Sequence, residues 1–396
     1  MSTQGPTIKD PIPLRALFAL FFGLIGLGTL YLRYLALDTG LKMNLDRSIF
    51  WSINALTLTG FRLSPNGLSD FSPAGIVGLY VLMLAGLLFA MIVGGLLVCR
   101  YAGLPHSLSK LATGAVLLVF TGILTGAALL LAADRRAYAA MFEATSAIAN
   151  AGLNLGPARR IDDWRLHLII LPLAAIGALG LPVIIDIFDR LALGRPLSGY
   201  SQRVLRIFAI AWMASFALLL LGNAHLPLRD NIVTSWIGAM NTRSLGMEIH
   251  LDSSLPRLSW WCMAILMLVG APPAGSGGGV RLLPLATVLG HNQWQDEGGF
   301  APAAIARATA WLTLFGALFI AMFLLLMSAE PQLTTDRLVV MAAGALGNVG
   351  LTQDSISLST SGLMIISAGM LAGFLLPLRF MHLIVTRQTQ NRQNGD

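Results

Sequence analysis

The chain has 396 residues, of which 56% are apolar and 11% charged, and its net charge is +7. A soluble domain carries about 25% charged residues, so a water-soluble globule of this size is excluded, and the mean hydropathy of +0.73 points to a bilayer. Lys and Arg lie singly near the ends of apolar stretches, with no basic cluster, which excludes nucleic acid as a partner and fits anchoring at lipid headgroups.

Residues 1–13 are polar and are expected to form a loose tail. Apolar segments follow at 14–36, 72–99, 112–133, 166–190, 203–223, 258–289, 306–328 and 360–386, with a second polar tail at 387–396. Each segment approaches or exceeds the ~20 residues that a hydrocarbon core about 30 Å thick asks of a helix. The first lacks a small-residue cleavage site and is expected to be a full span rather than a signal peptide. Between the odd and even spans lie shorter apolar runs, Ser48 to Leu58, Ala137 to Ala149, Asn231 to Asn241 and Asp336 to Leu346. These are too short to cross and are expected to be re-entrant half-helices. Cys99 and Cys262 are isolated and the His residues dispersed, which gives neither a disulfide framework nor a metal site.

After each half-helix comes a variation on one theme: Ala55 to Phe61, Ala147 to Leu153, Asn241 to Met247 and Ala345 to Leu351. Each ends in Gly and an apolar residue, at Gly60, Gly152, Gly246 and Gly350, close to a quarter of the chain apart. A single Gly-apolar pair is usually a helix C-cap; four at this spacing form an internal repeat. The expected fold is therefore an all-α polytopic membrane protein with four pseudo-symmetric span–pore-helix–span repeats around a central pore. The repeats cover 14–99, 112–190, 203–289 and 306–386. All four loops then fall on one side of the membrane. Lys and Arg divide evenly between the two faces, so charge does not orient the chain.

Irregular backbone at membrane depth survives only where it is buried in protein or lines water, so the loops are expected to meet at the pore. Thr57, Leu58, Thr59 and Gly60; Ala149, Asn150, Ala151 and Gly152; Arg243, Ser244, Leu245 and Gly246; and Gly347, Asn348, Val349 and Gly350 are the candidate ion-binding positions, through their carbonyls. The loops hold no carboxylate, which favours a dehydrated monovalent cation over a divalent one. Glu143, upstream in the second half-helix, is either a cation-concentrating charge or a hydrogen-bonded structural carboxylate.

Gly270 to Arg281, with Pro272, Pro273, Gly275, Ser276, Gly277, Gly278 and Gly279, interrupts the sixth span and cannot sustain a helix. It is either a mobile plug beneath the loops, with a gate at 270–279, or a static kink. It lacks the Gly-Lys-Ser/Thr of a phosphate-binding loop. An intramembrane enzyme would need a nucleophile and base, or metal ligands, at membrane depth, and the sequence offers none. An alternating-access transporter would need inverted repeats, whereas these four run in one sense.

These segments resemble the Trk/Ktr/HKT superfamily of potassium transporters over about residues 14 to 386. Met141 to Leu153 is similar to that family's second pore segment, and Arg243 to Met247 to its Arg-Thr-Ala-Gly-Phe third filter. Gly270 to Arg281 resembles its intramembrane gate loop, Leu179 to Asp186 the start of its fourth span, and Gly28 to Leu37 the exit of its first span. The resemblance implies potassium uptake through a four-glycine filter that faces outward, in a bacterial cytoplasmic (inner) membrane with both termini cytoplasmic. It implies K+ as the transported ion with no organic cofactor, a homodimer, and a cytosolic nucleotide-binding regulatory ring. A sodium-coupled or sodium-permeable transporter is the alternative, and a relative that only binds or senses ions is another. Eight spans match the shorter Ktr-like architecture. The chain departs from the pattern at Asn348, where Thr is usual, at Leu245, where Ala is usual, and at Phe374, where the last span usually carries an Arg beneath the filter that acts as an electrostatic barrier.

Overall fold

The computed structural model describes residues 13–37, 42–63, 68–133, 136–156, 159–247, 249–250, 255–288, 302–353 and 357–394. Long helices span Leu14–Leu35 (α1), Pro73–Ala102 (α3), Leu108–Ala132 (α4), Gly199–Gly222 (α8), Pro302–Ala329 (α12) and Thr360–Asn394 (α14). Among the described residues these are the six unbroken helices long and apolar enough to cross a membrane. Ser72, Ser107 and Ser198 accept from the backbone N–H groups of Gly75, Lys110 and Ser201 and so start α3, α4 and α8. Gly103 stops α3 with a left-handed residue.

The four half-helices are Leu45–Leu56 (α2), Ala137–Ala149 (α5), Leu228–Met240 (α9) and Thr335–Gly347 (α13), of 12 or 13 residues. At 1.5 Å per residue they reach roughly 20 Å, short of a bilayer core. Asp46, Asp230 and Asp336 sit in the first turns of α2, α9 and α13, where the helix dipole favours an anion.

Burial divides the spans into two shells. The hydrophobic stretches of α3 and α14 are 72% and 61% buried within the protein, whereas those of α1, α4, α8 and α12 are 17% to 33% buried. The outer four leave Leu27, Leu117, Ile210 and Leu324 exposed, as a lipid-facing surface would. The half-helices lie inside, and every residue of α13 from Leu338 to Gly347 is buried.

Two predicted spans are broken. The segment at 166–190 consists of a π-turn over Leu166–Ile170 that runs into Leu171–Leu179 (α6), followed by Leu181–Leu193 (α7), bent by 104° at Gly180. Pro182, in the first turn of α7, has no N–H to bond back into α6, and Gly180 adopts φ +90°. The Leu181 N–H, freed by the break, donates to the Ala274 carbonyl at 3.1 Å. The segment at 258–289 divides, at the expected place, into Arg257–Val269 (α10), an irregular stretch, and Leu282–Val288 (α11). A third difference lies at the C-terminus, where α14 carries the helix on to Asn394 instead of releasing a loose tail at 387. The only two strands among the described residues, Arg159–Arg160 (β1) and Ile249–His250 (β2), pair in parallel and join the returns that follow the second and third Gly segments.

Candidate functional site: four glycine segments above an irregular loop

The four Gly segments meet in sequence around one point. A Cβ at Gly60 would run into the Ala151 carbonyl, and one at Gly152 would lie 2.7 Å from the Gly246 and Leu245 carbonyls. At Gly246 it would stand 2.8 Å from the Gly350 nitrogen, and at Gly350 it would meet the backbone of Gly60 and Phe61. The ring thus closes in the order first, second, third, fourth, first. The Gly350 N–H donates to the Thr59 carbonyl at 2.6 Å across that last joint.

Backbone conformation follows position. Gly60, Gly152 and Gly246 have φ of +87°, +63° and +63°. In the first, second and fourth segments the residue two before the glycine is also left-handed: Leu58 at +58°, Asn150 at +53° and Asn348 at +48°. Asn tolerates this region; Leu does so at a cost of about 1–2 kcal/mol. The third segment instead ends in a π-turn over Asn241–Leu245, so its half-helix reaches the ring by a wider turn.

Side chains buried behind the ring hold it. Asn54 Oδ1 accepts from the N–H groups of Gly60 and Phe61, both at 2.9 Å, while its Nδ2 donates to the Phe61 carbonyl at 2.9 Å. Asn241 does the same for the third segment, accepting from the Met247 N–H at 2.7 Å and donating to the Met247 carbonyl at 2.6 Å. Neither residue was among the sequence candidates. The available signal was an Asn five or six residues before the glycine, in an otherwise apolar half-helix. Replacing Asn54 with Ala would leave two buried N–H groups without their acceptor, at about 1–3 kcal/mol each. We expect the midpoint of thermal unfolding in detergent to fall by several degrees; an unchanged midpoint would remove Asn54 from this role.

Thr57 and Thr59 bond through their hydroxyls at 2.8 Å, and Asn348 Nδ2 reaches Thr59 Oγ1 at 3.1 Å and the Met370 carbonyl of α14 at 2.9 Å. Asn150 Nδ2 reaches the Ala174 carbonyl of α6 at 3.0 Å and Ser276 Oγ at 2.6 Å. The two Asn side chains therefore tie the second and fourth segments to the inner helices of their own quarters.

Residues 270–281 lie directly against these segments and are buried throughout. The Ser276 N–H donates to the Gly177 carbonyl at 3.1 Å, and a Cβ at Gly278 would run into the Gly347 carbonyl. The loop thus stretches from the second quarter to the fourth. Arg243 joins it to the third: its guanidinium donates to the Gly270 carbonyl at 3.0 Å and, on α8, to the Ala211 carbonyl and Ser215 Oγ, both at 2.6 Å. Arg243 is 2% exposed, and no carboxylate pairs with it among the described residues.

The structure selects one of the two readings of Glu143 and gives Phe374 its surroundings. Glu143 is bonded to Arg159, whose Nη1 donates to Asp163 at 2.6 Å, and both members of that pair are buried. Glu143 is thus the hydrogen-bonded structural carboxylate of the two readings. Burial raises the Asp163 carboxyl, but the hydrogen bond from Arg165 and the charges of Arg159 and Arg165 outweigh it and hold it below the usual carboxylate range. Phe374, expected beneath the ring, stacks on Phe21 at 5.3 Å and on Phe89 at 6.2 Å in the core between α1, α3 and α14. Its neighbour Gly373 is the residue that meets the fourth segment, where a Cβ would stand 2.8 Å from Asn348 Oδ1. Of the remaining candidates, Ser244 lies in the π-turn, and its side chain falls outside the described residues.

No family model matches the chain. The Ktr system potassium uptake protein B of Bacillus subtilis (strain 168) is 24% identical over 283 residues, a stretch that spans 65% of this chain and 62% of that protein. The crystal structure of the potassium transporter TrkH from Vibrio parahaemolyticus superposes with a TM-score of 0.72 at 16% identity, covering 97% of this chain and 86% of that one. The resemblance to the Trk/Ktr/HKT superfamily is thus borne out, and the chain has an all-α, multi-pass membrane fold of the TrkH kind. Both relatives are named for potassium transport, not for an enzymatic reaction.

Proposed function

We propose that this protein takes up potassium through the ring of Gly60, Gly152, Gly246 and Gly350. The observation that carries this reading is the closure of the four segments at the buried ends of four half-helices. Moving a monovalent ion into low dielectric costs on the order of 20 kcal/mol in the idealised limit. Backbone carbonyls of the four segments replace the lost hydration shell, and the half-helix C-termini behind them contribute partial negative charge. The membrane potential supplies about 2.3 kcal/mol per charge per 100 mV. The ring faces outward, both termini face the cytoplasm, and the loop at 270–281 gates the path beneath. The four quarters act as repeats about that path, and the chain works as a homodimer, with a cytosolic nucleotide-binding ring as regulator.

Potassium and sodium fluxes of the purified protein in liposomes test the reading. Gly246→Ser is expected to lower the potassium-over-sodium ratio about tenfold. The substituted residue would have to hold φ +63° against about 1–2 kcal/mol of strain, and its side chain meets the Gly350 nitrogen. An unchanged ratio would overturn the assignment of Gly246 to the filter; no cation flux in the unsubstituted protein would overturn the function.

A further inference from the structure

On the far side of the 270–281 loop from the ring lies a cavity of about 70 Å³. Two guanidiniums, Arg281 and Arg307, line it together with Tyr101, Trp311, Pro377 and Phe380, and among the described residues no carboxylate lines it. Arg281 is 8% exposed, whereas Arg307, near the start of α12, is exposed. Tyr101 at the end of α3 and Arg307 in the second turn of α12 place part of the lining near helix ends, the level at which phospholipid headgroups are expected. A chamber lined by two cations together with aromatic and apolar side chains fits an anionic amphiphile, since guanidinium recognises phosphate through charge-assisted, paired hydrogen bonds.

We propose that this cavity binds the phosphate of an anionic phospholipid between Arg281 and Arg307, and that occupancy loosens the loop above. Arg281 Nη1 donates to the carbonyls of Pro272 and Gly275 at 3.2 and 3.5 Å, long bonds that brace the loop from within. A phosphate draws the guanidinium away from them, because short paired bonds between opposite charges outweigh two long bonds to neutral carbonyls. Trp311 carries the change across: its Nε1 donates to the Val280 carbonyl at 3.0 Å while its ring stacks on Phe380 of α14 at 4.6 Å. Pro377, also in the wall, interrupts the hydrogen bonding of α14 at the same level. One occupant thus touches the loop, α12 and a weakened point of α14.

The lipid step is tested by binding and by flux, and only the flux arm rests on the potassium reading. Native mass spectrometry of the full chain with phosphatidylglycerol is expected to retain one more lipid than Arg307→Gln does; equal retention overturns the site whatever the protein transports. In liposomes with about one-third phosphatidylglycerol, flux is expected to exceed that in pure phosphatidylcholine by about fivefold, the ratio that one Arg–anionic lipid contact carries. Arg307→Gln is expected to abolish that difference while leaving flux in phosphatidylcholine unchanged. A lipid response that survives in Arg307→Gln overturns the proposal. So does inorganic phosphate producing the same stimulation in phosphatidylcholine, since it would make the occupant a free anion.

Discussion

Gly60→Ala is expected to reduce potassium uptake at least tenfold. Gly60 holds φ +87°, which costs an L-residue about 1–2 kcal/mol. The added methyl also runs into the Ala151 carbonyl of the second segment. That carbonyl cannot retreat freely, because Asn150, beside it, is anchored to Ala174 and Ser276. Overpacking a buried site costs ~1–3 kcal/mol more, and each 1.36 kcal/mol off the competent ring is a factor of ten. Gly26→Ala is the control. Gly26 lies inside α1 with nothing within 4 Å of its Cβ position, so Ala should leave uptake unchanged and stabilise the helix slightly. Rubidium or potassium uptake into proteoliposomes, at matched amounts of folded protein, separates the two. Uptake by Gly60→Ala within a factor of two of the unsubstituted chain would mean that the ring is not the ion path.

Arg243→Met is expected to cost ~2–5 kcal/mol of stability and to degrade ion discrimination. The side chain fits a space of similar volume, so the loss comes from hydrogen bonds, not from a cavity. The Gly270 carbonyl and the Ser215 hydroxyl lose a donor in a buried setting, whereas the Ala211 carbonyl keeps the Ser215 hydroxyl; the two groups left short cost ~1–3 kcal/mol each. The damage is specific in place, because Gly270 opens the irregular loop while Arg243 itself belongs to the ring. Arg243→Lys tests geometry against charge. A point charge on a flexible stem cannot hold the fork that reaches Gly270 on one side and α8 on the other, so Lys should recover little of the loss. Thermal unfolding in detergent, paired with the potassium-to-sodium flux ratio, reads both effects. A Met variant that melts at the normal midpoint and keeps its ratio would show that the tie is idle.

The half-helices were legible because their length can be read along the sequence: 12 or 13 helical residues cannot reach across a bilayer, whatever surrounds them. The ring glycines were legible for a related reason. Left-handed backbone at Gly60, Gly152 and Gly246, and the close approach of another segment's backbone at Gly350, favour residues without a Cβ, so these turns leave glycines at regular intervals in the sequence. Pro272, Pro273 and the glycines after Ser276 marked the break in the sixth span in the same way. The break at Gly180 carried its own marker in Pro182, but continuous apolarity across 166–190 hid it. A broken helix and a straight one have the same hydropathy, and what stabilises this break is a bond from Leu181 to Ala274, nearly a hundred residues away.

Direction was decided by packing. Gly373 and Phe374 are one residue apart, which on a helix is a rotation of about 100°. Which of them meets the fourth segment depends on where Phe21 and Phe89 stand to receive a ring, and those lie on two other helices. Glu143 was equally ambiguous until Arg159 came back from the return strand to pair with it. Composition, helix length and the left-handed preference of glycine therefore determined by themselves that this chain is a multi-pass membrane protein with four short helices, each followed by a glycine segment. Only the tertiary structure decided the order in which the four segments close, the side chains of Asn54, Asn241 and Arg243 that hold them, and the face of α14 turned toward them. Backbone constraints act within a few residues and are written locally, whereas the direction of a side chain is set by whatever distant part of the chain arrives to fill the space beside it.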